Sequence, residues 1–132
     1  KKIITVFGCG GERDRSKRPL MGIIALKYSD YVIITNDNPR REPPGAILAD
    51  ILKGIDSSQA HKYDIILDRR KAIRRAVNAA ASGDVVIIAG KGHETYQVFA
   101  EETIPFDDKE TAAYFIRERI KGHASENEAD NS

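Results

Sequence analysis

Three short stretches of the chain concentrate side chains able to bind or react, and each is bracketed by residues that break regular structure. Gly8-Cys9-Gly10-Gly11 runs into Glu12-Arg13-Asp14-Arg15-Ser16-Lys17-Arg18, Asn36-Asp37-Asn38-Pro39-Arg40-Arg41 follows, and Gly90-Lys91-Gly92-His93-Glu94 lies far downstream. Arg13, Arg15, Lys17, Arg18, Arg40, Arg41 and Lys91 attract carboxylates or phosphates, while Glu12, Asp14, Asp37 and Glu94 attract ammonium groups. Fixed charge of both signs suits a zwitterion better than a plain phosphate. The glycines allow backbone to approach a ligand closely.

Familiar nucleotide fingerprints do not account for these loops. Gly8-Cys9-Gly10 opens like a dinucleotide motif, but Arg13 occupies the third glycine position, where close helix–strand packing needs no side chain. Gly90-Lys91-Gly92-His93 lacks the Gly-x-x-x-x-Gly-Lys-Ser/Thr pattern of a phosphate loop. Cys9, the single cysteine, reads as a small residue in a tight loop. His93 has no second His or Cys near it, so it reads as a hydrogen-bonding loop residue and no metal site is expected. Taken alone, residues 12–18 are equally a solvated charged loop, and Asp37-Asn38-Pro39 equally a simple turn.

A strand leads into each loop. Strands are expected at Ile3–Phe7, Tyr31–Thr35, Tyr63–Leu67 and Val85–Ala89, the last apolar on both faces as a central parallel strand is. Between them, Pro19 sits in a first helical turn, with Leu20, Ile23, Ile24 and Tyr28 at helical spacing. Pro43-Pro44 opens a helix whose Ile47, Leu48, Ile51, Leu52 and Ile55 share a face, and Asp68 caps one carrying Ile73, Ala76, Val77 and Ala80, which Gly83 ends. Tyr96–Phe99 and Thr103–Phe106 form a short strand pair, and Asp107-x-x-Glu110 caps a last helix presenting Ala112, Phe115, Ile116 and Ile120. The alternation predicts an α/β fold: an open, mostly parallel, Rossmann-like sheet with helices on both faces and a short antiparallel strand pair near the C-terminus. In such sheets ligands bind outside the carboxyl ends of the strands, so the three loops share one rim.

Composition narrows the classes. At 132 residues and 41% hydrophobic, the chain builds one core, and its apolar runs are too short to span a bilayer. The formal net charge is +1, and the last eleven residues hold three acids and no Lys or Arg, which leaves +4 on residues 1–121. Neither a disordered polyelectrolyte nor a strongly basic nucleic-acid binder fits. The start, Lys1-Lys2-Ile3-Ile4-Thr5-Val6-Phe7, enters a strand at once, which reads as a fragment of a longer protein; 122–132 reads as a disordered tail.

The three loops together, Gly8-Cys9-Gly10-Gly11-Glu12-Arg13-Asp14 with Lys17-Arg18-Pro19, Asp37-Asn38-Pro39-Arg40, and Gly90-Lys91-Gly92-His93-Glu94, resemble the C-terminal domain of the Mur ligases, most of all the members that add meso-diaminopimelate. The resemblance covers residues 1–121 and implies one domain of a three-domain, cytoplasmic, ATP-dependent ligase of peptidoglycan synthesis. It implies meso-diaminopimelate, UDP-MurNAc-L-Ala-D-Glu and ATP as ligands, with neither nucleic acid nor membrane as partner. An acyl phosphate is formed at a central domain, where the phosphate loop and the Mg2+ ligands lie. By itself this chain is then expected to be inactive, with no catalytic residue of its own.

The same resemblance assigns the amino-acid pocket. Arg40 matches a residue that grips a ligand carboxylate in bidentate fashion, with Arg13 and Asn38 at further carboxylate positions and Pro39 aiming Arg40. Glu94 and the Gly90 carbonyl match acceptors of the distal ammonium, and Asp37 belongs to the same set. Glu12 departs from the Asp of many members, which puts its support of Arg13 in question. The alternatives are a lysine-adding relative, against which Arg40 speaks, a stand-alone anion- or nucleotide-binding regulatory module, and a folylpolyglutamate-synthase-like domain. Asp37 and Glu94 speak against the module, since a pure anion site gains nothing from acids.

Overall fold

A parallel sheet of four strands, β1 (Ile3–Phe7), β2 (Tyr31–Ile34), β3 (Tyr63–Ile65) and β4 (Val85–Ile88), is ordered β3-β2-β1-β4 in the computed structural model. It describes residues 1–130, with side chains through His123. The strands are short runs of β-branched and aromatic residues, and their alternating side chains feed two cores. Ile4, Val6 and Ile33 point to one side, among Ile73, Ala76, Val77 and Phe115. Phe7, Val32 and Ile34 point to the other, among Leu26, Ile47 and Ile51. Helices α1 (Lys17–Tyr28) and α2 (Pro44–Leu52) cover this second face; α3 (Arg69–Ala79) and α4 (Asp108–Asp130) cover the first. A 3₁₀ turn at Ser57–Lys62 precedes β3, and β5 (Tyr96–Val98) pairs antiparallel with β6 (Thr103–Pro105).

The fold class and the order of elements agree with the sequence reading, and the caps with it. Pro44 begins α2, the Asp68 carboxylate accepts from Lys71 N, and the Asp107 carboxylate accepts from Glu110 N at 3.1 Å. β1 neighbours both β2 and β4, so the chain runs outward from β1 on each side and a crevice opens at the carboxyl ends.

Four expectations need correction. β4 is an edge strand among the described residues, with Val85 51% and Ile87 44% exposed, because it pairs with β1 alone and no helix covers that side of it. In α1 the apolar stripe Leu20, Ile23, Ile24 and Tyr28 faces outward, and Arg18, Gly22 and Leu26 are buried instead. The cause is close packing: a Cβ on Gly22 would lie 2.9 Å from the Ile51 carbonyl oxygen, so α1 meets α2 through its glycine. α3 ends at Ala79, and Gly83, at φ +89, serves the turn into β4. Finally, α4 continues to Asp130 through most of the segment read as a tail, and Asn131 and Ser132 lie outside the described residues.

Candidate functional site: a mixed-charge rim

The loops following β1 and β2 are stitched together by backbone. Gly11 N donates to Asn38 O at 2.8 Å, a contact open only to glycine, since a Cβ there would stand 1.8 Å from the Pro39 oxygen. Carboxylates reinforce the seam: Glu42 Oε1 accepts from Glu12 N, and Glu12 Oε1 accepts from Arg41 N, each at 3.1 Å. The Glu12 side chain thus supports the backbone of the second loop. Arg13 is exposed and leans on the Glu12 carbonyl oxygen, 3.3 Å away.

Arg40 takes a left-handed backbone, φ +56, which is strained for any residue with a Cβ. Its N–H donates to Val98 O at 3.0 Å, joining β5, and its Nη1 donates to Gly11 O at 2.9 Å. The aim expected from Pro39 is therefore set by this strained residue and its tie to β5. Gly10 marks where the charges converge. A Cβ on it would lie 3.1 Å from Arg40 Nη1, 3.5 Å from Arg13 Cγ and 3.6 Å from Asp37 Oδ2. Among the described residues neither Arg13 nor Arg40 forms an ion pair.

The third loop joins through Asn38, which is buried. Its Oδ1 accepts from Lys91 Nζ at 2.7 Å and from Val98 N at 3.0 Å, and its Nδ2 donates to Glu94 Oε2 at 3.2 Å. Those partners fix the orientation of the amide. Lys91 Nζ also donates to Tyr96 O at 2.7 Å, and it stands 3.8 Å from Asp37 Oδ1. Burial lowers the Lys91 pKa, opposed by the Asp37 charge. Asp37 Oδ1 is itself buried without a hydrogen-bond partner among the described residues, and a Cβ on Gly90, at φ +119, would lie 3.5 Å from it. Among the described residues that oxygen keeps only its 3.8 Å ion pair with Lys91.

All six residues predicted from sequence, Arg13, Asp37, Asn38, Arg40, Gly90 and Glu94, therefore come to one rim through these contacts. Others named with them do not join the site. Arg18 is buried: its guanidinium donates to Glu42 Oε2 at 2.6 Å, Glu42 Oε1 at 2.8 Å, Asp50 Oδ2 at 3.0 Å and Gly10 O at 3.0 Å. Arg15 pairs with Asp50 as well, and Asp14 turns back to Ser16. Helical spacing of Arg18 with Gly22 and Leu26 was the available signal for that burial. Cys9 is buried, 3.5 Å from Met21 Sδ, and burial pushes its thiol to about 11, so it stays protonated at neutral pH. The His93 ring, expected to hold its loop by a hydrogen bond, makes none with described residues; the backbone closes that turn, with Glu94 N donating to Lys91 O at 3.0 Å.

Two residues carry more than the sequence reading gave them. Lys91 orients Asn38, and Arg69, in no motif, bonds to the first residue of the second loop and to the residue just before the third. A crevice of about 1200 Å³ between α3, the β5–β6 pair and α4 is walled by Arg70, Gln97, Phe106 and Tyr114 and holds none of the rim charges. No group of three His, Cys, Asp or Glu among the described residues is placed to hold a metal ion, and no described helix is long and apolar enough to cross a membrane.

The fold and the sequence both have known relatives. Residues 1–92 match the family described as Mur ligase, glutamate ligase domain. A UDP-N-acetylmuramoyl-L-alanyl-D-glutamate–2,6-diaminopimelate ligase of Syntrophomonas wolfei is 55% identical over 121 residues, covering 92% of this chain and 25% of that protein. The protein of the same name in Clostridioides difficile is 59% identical over 111 residues, covering 84% of this chain and 23% of its own length. A solved structure of a ligase so named superposes with TM-score 0.85 at 47% identity, over 91% of this chain and 24% of that one. The chain thus spans about a quarter of the length of these relatives. It belongs to the Mur ligase family, as the C-terminal, glutamate ligase domain.

Proposed function

We propose that this chain is the amino-acid-binding domain of a cytoplasmic ligase that adds meso-diaminopimelate to UDP-MurNAc-L-Ala-D-Glu at the expense of ATP. The observation that carries this reading is the convergence on Gly10 of Arg40 Nη1, the Arg13 side chain and Asp37 Oδ2, the two arginines being without an ion pair among the described residues. Diaminopimelate has two carboxylates and two ammonium groups, so beyond its reacting end it still offers one of each. Arg40 takes the distal carboxylate as a planar fork, supported by Arg13 and Asn38. Asp37, Glu94 and the Gly90 carbonyl take the ammonium, with Lys91 holding Asn38 and lying beside Asp37.

In this reading the domain positions the attacking amine and excludes water from it. ATP would donate its γ-phosphoryl group to the D-glutamate side-chain carboxylate with release of ADP, and the bound amine would then displace phosphate to form the amide; Mg2+ would neutralise phosphate charge when bound. The phosphate loop and the Mg2+ ligands are taken to lie in the central domain that the family resemblance implies. Of the other readings, a lysine-adding enzyme leaves Arg40 without its carboxylate, and an anion-binding regulatory module gives no role to Glu94, whose partner within the chain is the neutral Asn38 amide.

The test is titration of this chain with meso-diaminopimelate and separately with L-lysine, followed by amide chemical shifts. Residues 8–13, 37–40 and 90–94 are expected to respond to diaminopimelate at lower concentration than to lysine. Equal responses to both overturn the choice of amino acid, and silence to both overturns the binding role.

A further inference from the structure

We infer that Arg69 is the positioning residue that sets the gap between the two loops of the rim. Its side chain is wholly buried, outside every loop motif, at the start of α3. Nε and Nη2 each donate to the Asp108 carboxylate at 2.7 Å, Nη1 donates to Asn36 O at 2.9 Å, and Nη2 also donates to Ala89 O at 3.1 Å. Asn36 immediately precedes Asp37, and Ala89 immediately precedes Gly90. The first carbonyl of the second loop and the last carbonyl before the third thus share one guanidinium.

Sheet pairing does not make that link. β1 lies between β2 and β4, so those two strands run about 10 Å apart, twice the spacing of neighbours. The rim's direct contacts across the gap, Asn38 to Glu94, Lys91 to Asn38 and Lys91 to Asp37, each involve a group assigned to ligand. Arg69 spans the gap from beneath with its planar fork, and Asp108, at the start of α4, holds that plane by a bidentate pair. A lysine cannot reproduce it: one ammonium on a flexible stem does not meet a carboxylate and two diverging carbonyls at once. Arg69 touches no proposed ligand and acts through Asp37, Asn38 and Glu94.

This inference rests on the proposed function only for its kinetic consequence. In this chain, Arg69→Lys is expected to shift the amides of both 37–40 and 90–94. The milder Asp108→Asn, which spares both carbonyl bonds, is expected to shift both by less. Movement of one loop alone, in either variant, overturns the clamp. In the full-length ligase, Arg69→Lys is expected to raise KM for meso-diaminopimelate about tenfold or more while changing KM for ATP and UDP-MurNAc-L-Ala-D-Glu less than about twofold, since misplacing binding groups by an ångström costs up to about 100-fold. A parallel rise in all three constants, tracking a lower melting temperature, makes Arg69 merely structural and overturns the inference. If both loops move together but the wild-type chain does not respond to meso-diaminopimelate, the clamp stands and the proposed function falls.

Discussion

Two pairs of arginines divide this domain. Arg18 and Arg69 are buried, and each makes four hydrogen bonds to carboxylates and backbone carbonyls. Arg13 and Arg40 stand at the rim, bond only to carbonyl oxygens and have no carboxylate partner among the described residues. The same side chain thus serves two purposes, separated by where its counter-ion comes from. When the acid belongs to the chain, the pair locks elements together; when it is missing, the guanidinium is open to one from outside, which is the role proposed for Arg40. Motif reading grouped Arg18 with Arg13 because both lie in one charged loop, and only the position of Glu42 and Asp50 separates them.

The contrast can be broken most strongly at the buried pair. Arg18→Met should cost about 3–5 kcal/mol of unfolding free energy in this chain, because Glu42 and Asp50 lose a buried cation. Urea denaturation measures it, and a loss below about 1 kcal/mol contradicts the structural role. The same network can be opened from the acid side. Glu42 is held at about 2, below its ordinary 4.5, chiefly by the Arg18 hydrogen bonds. A depressed folded-state pKa means stability that is present above 4.5 and lost as pH falls toward 2. Thermal melts across that window should fall more steeply in wild type than in Arg18→Met; parallel curves place the acid sensitivity elsewhere.

At the rim the cost should appear in catalysis instead. In the full-length ligase, Arg40→Ala should lower kcat/KM for meso-diaminopimelate by roughly 30-fold to several thousand-fold, equivalent to about 2–5 kcal/mol, since a ligand carboxylate is left unpaired. Activity with L-lysine should change little, and domain stability should move by no more than about 0.5 kcal/mol. Parallel losses with both amino acids return Arg40 to the structural class. The smallest effect sharpens the comparison further. Because Arg40 sits at φ +56, Arg40→Gly should unfold about 1 kcal/mol less readily than Arg40→Ala, although both lack the guanidinium. Equal stability of the two means that the left-handed backbone carries no strain.

Much of the scaffold was legible from local pattern. β1 and β2 are dense β-branched runs, α3 repeats its apolar residues at helical spacing, and Asp68, Pro44 and Asp107 do what cap chemistry requires. Pattern failed where burial was decided by neighbours. The apolar run Val85–Ile88 suits a central strand, yet its place at the sheet edge depends on how many strands exist to flank it. The stripe of Leu20, Ile24 and Tyr28 suits a core face, yet Gly22 draws the opposite side of α1 against α2.

Residue types and spacing by themselves determined the element order, the parallel sheet and the rim on which loops 8–18, 36–41 and 90–94 meet, because strand and helix periods and the carboxyl-end rule act over short distances or follow from topology, while the choice of Arg13, Asp37, Asn38, Arg40, Gly90 and Glu94 within those loops came from the family resemblance. Tertiary structure alone decided which charges are spent and which remain. Arg69 finds Asp108 and the ends of β2 and β4 from distant points of the chain, and Asp37 keeps an oxygen unbonded beside Gly90. A hydrogen bond is decided by positions within a few tenths of an ångström, and residues far apart in sequence acquire such positions only when the whole chain has packed.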